Sequence, residues 1–179
     1  VWTNIIYIIA ILTMTIGNLF AIRQQNIKRF LAFSSIAQAG FILLGVIGTT
    51  SLGMATVIYF MLIYIFSNLG AFGVVSVISD YSGKENIDDY NGLYHTNPKL
   101  SLVMMLSLFS LAGIPPIAGF FGKFFLFTAA AEQGYYWLVL IAVINATISL
   151  YYYLIVVKAM FINKNDTPIA KIKSDNYAR

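Results

Sequence analysis

The chain has 179 residues, is 59% hydrophobic and only 10% charged, carries a formal net charge of +4 and has a mean hydropathy of +0.79. A water-soluble domain holds about 25% charged residues, so this composition is that of a polytopic membrane protein. The absence of cysteine excludes disulfides, thiolate-ligated iron–sulfur clusters and Cys-based zinc sites, and a single His (His95) leaves no His-rich metal or haem site.

An all-α membrane fold follows from the hydropathy pattern. A bilayer core of about 30 Å takes about 20 apolar residues per helix. The first predicted helix covers residues 1–22, and a short basic turn carries Arg23, Lys28 and Arg29. The second helix is predicted over 30–48, and an uncharged turn leads to a third over 53–79. A polar loop follows to Pro98, with the acidic cluster Glu85, Asp88 and Asp89 and the solvated His95. The fourth helix is predicted over 99–132, the fifth over 135–161, and 162–179 form a polar tail expected to fray or to lead into further chain. The start at Val1, without an initiator Met, is expected of a fragment.

The fourth helix is too long for one crossing. Its residues would reach about 50 Å at 1.5 Å each, well beyond the hydrocarbon core. Gly113-Ile114-Pro115-Pro116 divides it, and proline inside a helix removes a hydrogen bond and clashes with the preceding turn. A discontinuous helix is therefore expected, broken at Gly113, Pro115 and Pro116. Carbonyls freed there must find partners in protein or a wet cavity.

Beyond the break, in Gly119-Phe120-Phe121-Gly122-Lys123-Phe124-Phe125, stands Lys123. Counted back from Gln133-Gly134 it lies about 15 Å deep, near the midplane. An ammonium at that depth costs about 2.5–3.5 kcal/mol on insertion scales, so it is seldom there without a use. The alternative is a kinked helix with Lys123 snorkelling to the interface.

The other lysines and arginines all fall on one side: Arg23, Lys28 and Arg29; Lys84 and Lys99; Lys158, Lys164, Lys171, Lys173 and Arg179. The positive-inside rule makes that side cytoplasmic. Lys28, at the start of the second helix, reads either as a cytoplasmic anchor or as a proton-transfer group. Lys158, after Tyr151-Tyr152-Tyr153, reads either as an anchor among belt aromatics or as a proton exit group. Ser34, Ser35 and Gln38 on the second helix, with Ser67 and Asn68 on the third, could line a hydrated path or serve as helix–helix glue. No Ser-His-Asp set, phosphate loop or paired intramembrane carboxylate appears, and scattered basic residues give no nucleic-acid patch.

Three segments carry a family resemblance: NIKRFLAFSSIAQAGFILLG (26–45), SLAGIPPIAGFFGKFFLF (110–127) and NATISLYYYLIVVK (145–158). Together, and in this order, they resemble the antiporter-like membrane subunits of respiratory complex I, most closely the N-type branch, counterpart of mitochondrial subunit two. The lysine of GFFGKF fits that branch, since the sister M-type looks to have Glu there.

The resemblance implies a five-helix repeat with a broken fourth helix, family helices nine to thirteen, lacking the first repeat and the final helix. It implies proton translocation coupled to electron transfer from NADH to quinone. Lys123 would be the terminal lysine facing the far side and Lys28 a position near the cytoplasmic approach. Gln38 stands where many relatives have His, and the first-repeat glutamate–lysine pair is absent. The implied cofactors (NADH, FMN, iron–sulfur clusters and quinone) belong to other subunits, with none in this chain. Implied partners are the other membrane subunits, the bilayer of a bacterial inner membrane, and protons, with quinone indirect. Two alternatives stand beside this: a subunit of an Mrp-type Na⁺/H⁺ antiporter or membrane hydrogenase, and a structural membrane scaffold.

Overall fold

The computed structural model describes residues 2–47 and 51–172. Its elements run α1 (Trp2–Ile22), α2 (Ile27–Ile47), α3 (Ser51–Ser82), a 3₁₀ turn (Ile87–Tyr90), α4 (Leu93–Thr96), α5 (Pro98–Ala112), α6 (Ala118–Glu132) and α7 (Tyr136–Phe161). α1, α2, α7 and most of α3 are each long and apolar enough to cross a membrane, whereas α5 and α6 have 15 residues each. In place of one kinked rod, two short helices meet at residues 113–117.

Local chemistry moves several helix ends away from the hydropathy limits. α2 starts at Ile27 rather than at residue 30, because Asn26 Oδ1 accepts the backbone N–H groups of Lys28 (3.0 Å) and Arg29 (3.1 Å) as an N-cap. α3 runs from Ser51 to Ser82, past the expected 79, until Gly83 turns at φ 67°. Pro98 opens α5 at a first-turn position where its missing N–H is no loss, and Tyr135 precedes α7 rather than starting it. The expected end of the second helix at Gly48 lies outside the described residues.

The tail, expected to fray, is docked as far as it is described. Ile169 is buried in the core, Asn97 Nδ2 donates to the Ala170 carbonyl (3.1 Å), and Asn97 Oδ1 accepts from Ile172 N (2.9 Å). Lys173 and Arg179 lie outside the described residues.

α1 packs along α2, α3 lies against α2, α5 and α6, and α7 closes on α1, α5 and α6. Two apolar clusters form. One, toward the loop end, includes Ile27, Phe30, Leu31, Ile78, Met104, Leu108 and Tyr152. The other includes Met14, Phe41, Leu44, Phe60, Leu126, Leu138 and Ala142.

Between them runs a buried polar waist to which all six long helices contribute. Asn18 falls between Met14 and Ala21, Ser34 and Gln38 between Leu31 and Phe41, and Ser67 between Phe60 and Ala71. Ser110 on α5, Lys123 on α6 and Asn145 on α7 complete it. Large apolar side chains cover the outside, among them Leu12, Phe66, Leu69 and Phe124, as lipid or neighbouring helices require. Tyr7 against Tyr135 (6.2 Å between rings) sets the start of α1 beside that of α7, where exposed Trp2, Tyr136 and Trp137 make an interfacial belt.

Candidate functional site: a buried lysine at a helix break

The last four carbonyls of any helix lack an intrahelical donor. α5 ends in a left-handed Gly113 (φ 81°), with Gly113 N bonded to the Phe109 and Ser110 carbonyls and Ile114 N to Phe109 O (3.1 Å). This leaves the Leu111 and Ala112 carbonyls facing the protein interior. Lys123 Nζ donates to both, at 2.8 and 3.2 Å, and lies 4.8 Å from the centre of the Phe41 ring. Hydrogen bonds and the ring quadrupole stabilise the ammonium there. With 4% exposure it is not snorkelling, and among the described residues it has no ion pair.

Two glycines let the halves meet. A Cβ on Gly113 would stand 3.1 Å from Lys123 Cδ, and one on Gly119 would collide with the Ser110 carbonyl. The break therefore does two jobs, freeing carbonyls and bringing the lysine onto them.

Hydrogen bonds lead away from Lys123 across the waist. Gln38 Nε2 donates to the same Leu111 carbonyl (3.0 Å) and to the Tyr153 hydroxyl (3.2 Å), which also bonds Ser34 Oγ. The Tyr152 ring lies 4.7 Å from that of Tyr153, and its hydroxyl donates to Asn18 Oδ1 (2.8 Å). Asn18 Nδ2 donates to the backbone and side-chain oxygens of Asn145 (3.0 and 2.9 Å). On the other flank the Ser67 and Ser110 hydroxyls share a 2.7 Å bond. A cavity of about 10 Å³, bounded by Gln38, Tyr64, Ser67, Ser110, Leu111 and Gly119, has room for about one water. Gln38 Oε1 is buried without a protein partner beside it.

Ser35 and Asn68 stand apart from this set. Ser35 Oγ donates to its own helix at Leu31 O, and Asn68 Nδ2 donates to Tyr64 Oη (3.0 Å), with Ser35 Oγ at 3.5 Å. Lys158 is exposed near the end of α7 and its side chain makes no hydrogen bond or ion pair among the described residues. Pro115 and Pro116 are exposed in the break, joined by a cis peptide.

Lys28 sits in a different setting. Its Nζ pairs with Glu85 Oε1 (2.7 Å) and bonds Ser79 Oγ (2.9 Å), with both charged side chains half-exposed. Hydrogen bonds from Lys28, Asn26 and Ser79 draw the Glu85 carboxyl down from 4.5 to about 2. Tyr90, in the same loop, is buried, and burial together with Asp89 and Glu85 pushes its hydroxyl up. No group of three metal-ligating side chains occurs among the described residues.

Sequence reasoning missed Tyr152, Tyr153, Asn18 and Ser110. Tyr151-Tyr152-Tyr153 looked like an aromatic belt, yet only Tyr151 faces outward. Successive helical residues point 100° apart, so three in a row cannot share the lipid face. The signal was there in Asn145, about two turns earlier on the same helix.

A helical chain with apolar faces, a polar waist and a lysine at a broken helix defines an antiporter-like membrane domain. The chain belongs to the NADH:quinone oxidoreductase/Mrp antiporter transmembrane family, which it matches over residues 1–149. It is 58% identical over 174 residues to NADH-quinone oxidoreductase subunit N of Phocaeicola vulgatus, a match covering 97% of this chain and 37% of that protein. A chain in respiratory complex I from Thermus thermophilus with bound aureothin superimposes with a TM-score of 0.80 at 32% identity, covering 98% of this chain and 39% of that one. A chain of the Mrp complex from a Dietzia species gives 0.86 at 28% identity, covering 91% and 30%. The chain thus spans just over a third of the length of the curated relatives it matches.

Proposed function

We propose that this chain is the second five-helix repeat of a proton-translocating membrane subunit of an NADH–quinone oxidoreductase, with Lys123 as its protonatable centre. α5 and α6 together make the fourth crossing, and further chain after the tail supplies a final helix. NADH, flavin, iron–sulfur clusters and quinone sit in other subunits of that complex, which lies in a bacterial inner membrane with the tail on the cytoplasmic side.

The observation that carries this reading is the Lys123 site itself, an ammonium held by two freed carbonyls and a ring, with no counter-charge among the described residues. At an effective dielectric of about 20, a unit charge brought to 4 Å is worth about 4 kcal/mol, or about three powers of ten in proton occupancy. A neighbour moving charge toward or away from this site can therefore load or unload it. Gln38, Ser34, Tyr153 and the Ser67–Ser110 pair, with the cavity between, offer the hydrated approach. Ser35 and Asn68 belong to its outer wall, and Lys158 to the cytoplasmic surface.

The likeness to the Mrp complex supports a second reading, a subunit of a cation/proton antiporter. Vesicles carrying the intact complex separate the two. NADH oxidation drives proton uptake under the first reading. Proton movement driven by a sodium gradient, with none driven by NADH, would favour the second.

A further inference from the structure

Three side chains converge on Glu85, from α3, from the first turn of α2 and from its N-cap. Lys28 Nζ and Ser79 Oγ reach Oε1 at 2.7 and 2.9 Å, and Asn26 Nδ2 reaches Oε2 at 3.1 Å. Lys28 Nζ also bonds Ser79 Oγ, so lysine, serine and carboxylate close a triangle. The backbone joins in, with Ile27 N donating to Glu85 O and Ile87 N to Gln25 O, both at 2.8 Å, around the Asn26–Asn86 bridge. The end of α3, the loop after it and the first turn of α2 are thus one braced unit.

The brace bears on the lysine site because α2 is rigid between them. Ser35 lies seven residues, about two turns, from Lys28 on the same stripe, and Asn68 of α3 reaches it there. Ser34 and Gln38 ride on the same helix, and Gln38 holds the carbonyl that holds Lys123. A side chain whose supporting contacts are lost by an ångström loses its function before the fold is lost.

We infer that Glu85 is a positioning residue for proton transfer: it fixes the Lys28 ammonium and the first turn of α2 against α3, and so sets the register of Ser34 and Gln38 toward Lys123. Lys28 is accordingly neither a free membrane anchor nor a mobile carrier but half of a charged clasp. The inference rests on the proton-translocating reading above.

The test uses the full complex in vesicles and measures protons moved per NADH oxidised, together with the amount of assembled complex. Glu85→Gln should lower the proton ratio, and the exchanged pair Lys28→Glu with Glu85→Lys should restore it. Should Glu85→Gln fail to assemble, Glu85→Asp, which keeps the charge on a shorter stem, should give an intermediate ratio. A normal ratio in Glu85→Gln, or an exchanged pair that restores assembly but not the ratio, overturns the inference. Lys123→Ala is run beside them. If it pumps normally, the proton-site reading fails whatever Glu85 does. If it does not pump while Glu85→Gln does, only the role of Glu85 falls.

Discussion

Two lysines of this chain illustrate opposite solutions to one problem. Lys28 keeps its charge at a half-exposed end, beside a carboxylate 2.7 Å away. Lys123 sits buried between helices, against the Leu111 and Ala112 carbonyls and the Phe41 ring, with no ion pair among the described residues. A half-exposed pair is screened by water and salt, and its geometry organises the backbone more than it stores energy. A buried ammonium without a counter-ion is screened far less, so a charge arriving nearby acts on it more strongly. The first arrangement suits a clasp and the second a switchable proton site.

The contrast can be broken by closing the space the break keeps open. Gly119→Ala places a methyl group against the Ser110 carbonyl, a backbone atom that cannot step aside. Overpacking of this kind costs about 1–3 kcal/mol, and the amount of assembled complex should fall with it. Wild-type assembly and thermal stability in that variant would mean that α5 and α6 separate more readily than their packing implies.

A smaller effect is expected at Gln38. Gln38→Leu removes both donors from Leu111 O and Tyr153 Oη while leaving Lys123 its own bonds. Leu111 O keeps Lys123 and Tyr153 Oη keeps Ser34, so each lost bond costs only about 0.5–1.5 kcal/mol, and the proton ratio should drop with the complex still assembled. Tyr153→Phe should do less, since Gln38 keeps its bond to Leu111 O and Ser34 loses one partner. Equal losses in the two variants would make the tyrosine, not the glutamine, the link to the lysine.

At the clasp, Lys28→Ala should lower turnover moderately, and unchanged turnover with normal assembly would leave Lys28 a membrane anchor only. The smallest effect is a pH dependence. The Glu85 carboxyl is lower in the folded protein, about 2, than its usual 4.5, so its contribution is complete above about pH 4.5 and is lost as pH falls toward 2. Protease cleavage in the loop between α3 and α5 should stay constant from pH 8 to about 5 and rise only below that range.

Much of this could be read from residue order alone. Hydropathy pointed to an all-helical membrane fold, because an apolar span in lipid has few alternatives. Gly113-Ile114-Pro115-Pro116 announced the break, and Lys123 was conspicuous by depth. Its carbonyl partners were less legible. That freed carbonyls needed partners followed from the prolines, but that Lys123 would supply the bonds depended on how α6 folds back on α5. Tyr152, Tyr153 and Asn18 were hidden for a similar reason, since a tyrosine at a helix end and one in the core look alike until the facing helix is known. Glu85 was visible only as one acid of a cluster, and its pairing with Lys28 spans 57 residues.

The most direct test is the number of protons translocated per NADH oxidised by the intact complex carrying Lys123→Ala, measured in vesicles beside NADH oxidation itself. Both should fall while assembly is retained, and should fall less in Lys28→Ala. A normal proton ratio and normal oxidation in Lys123→Ala would contradict the proton-site reading, leaving the buried lysine a structural strut between α5 and α6.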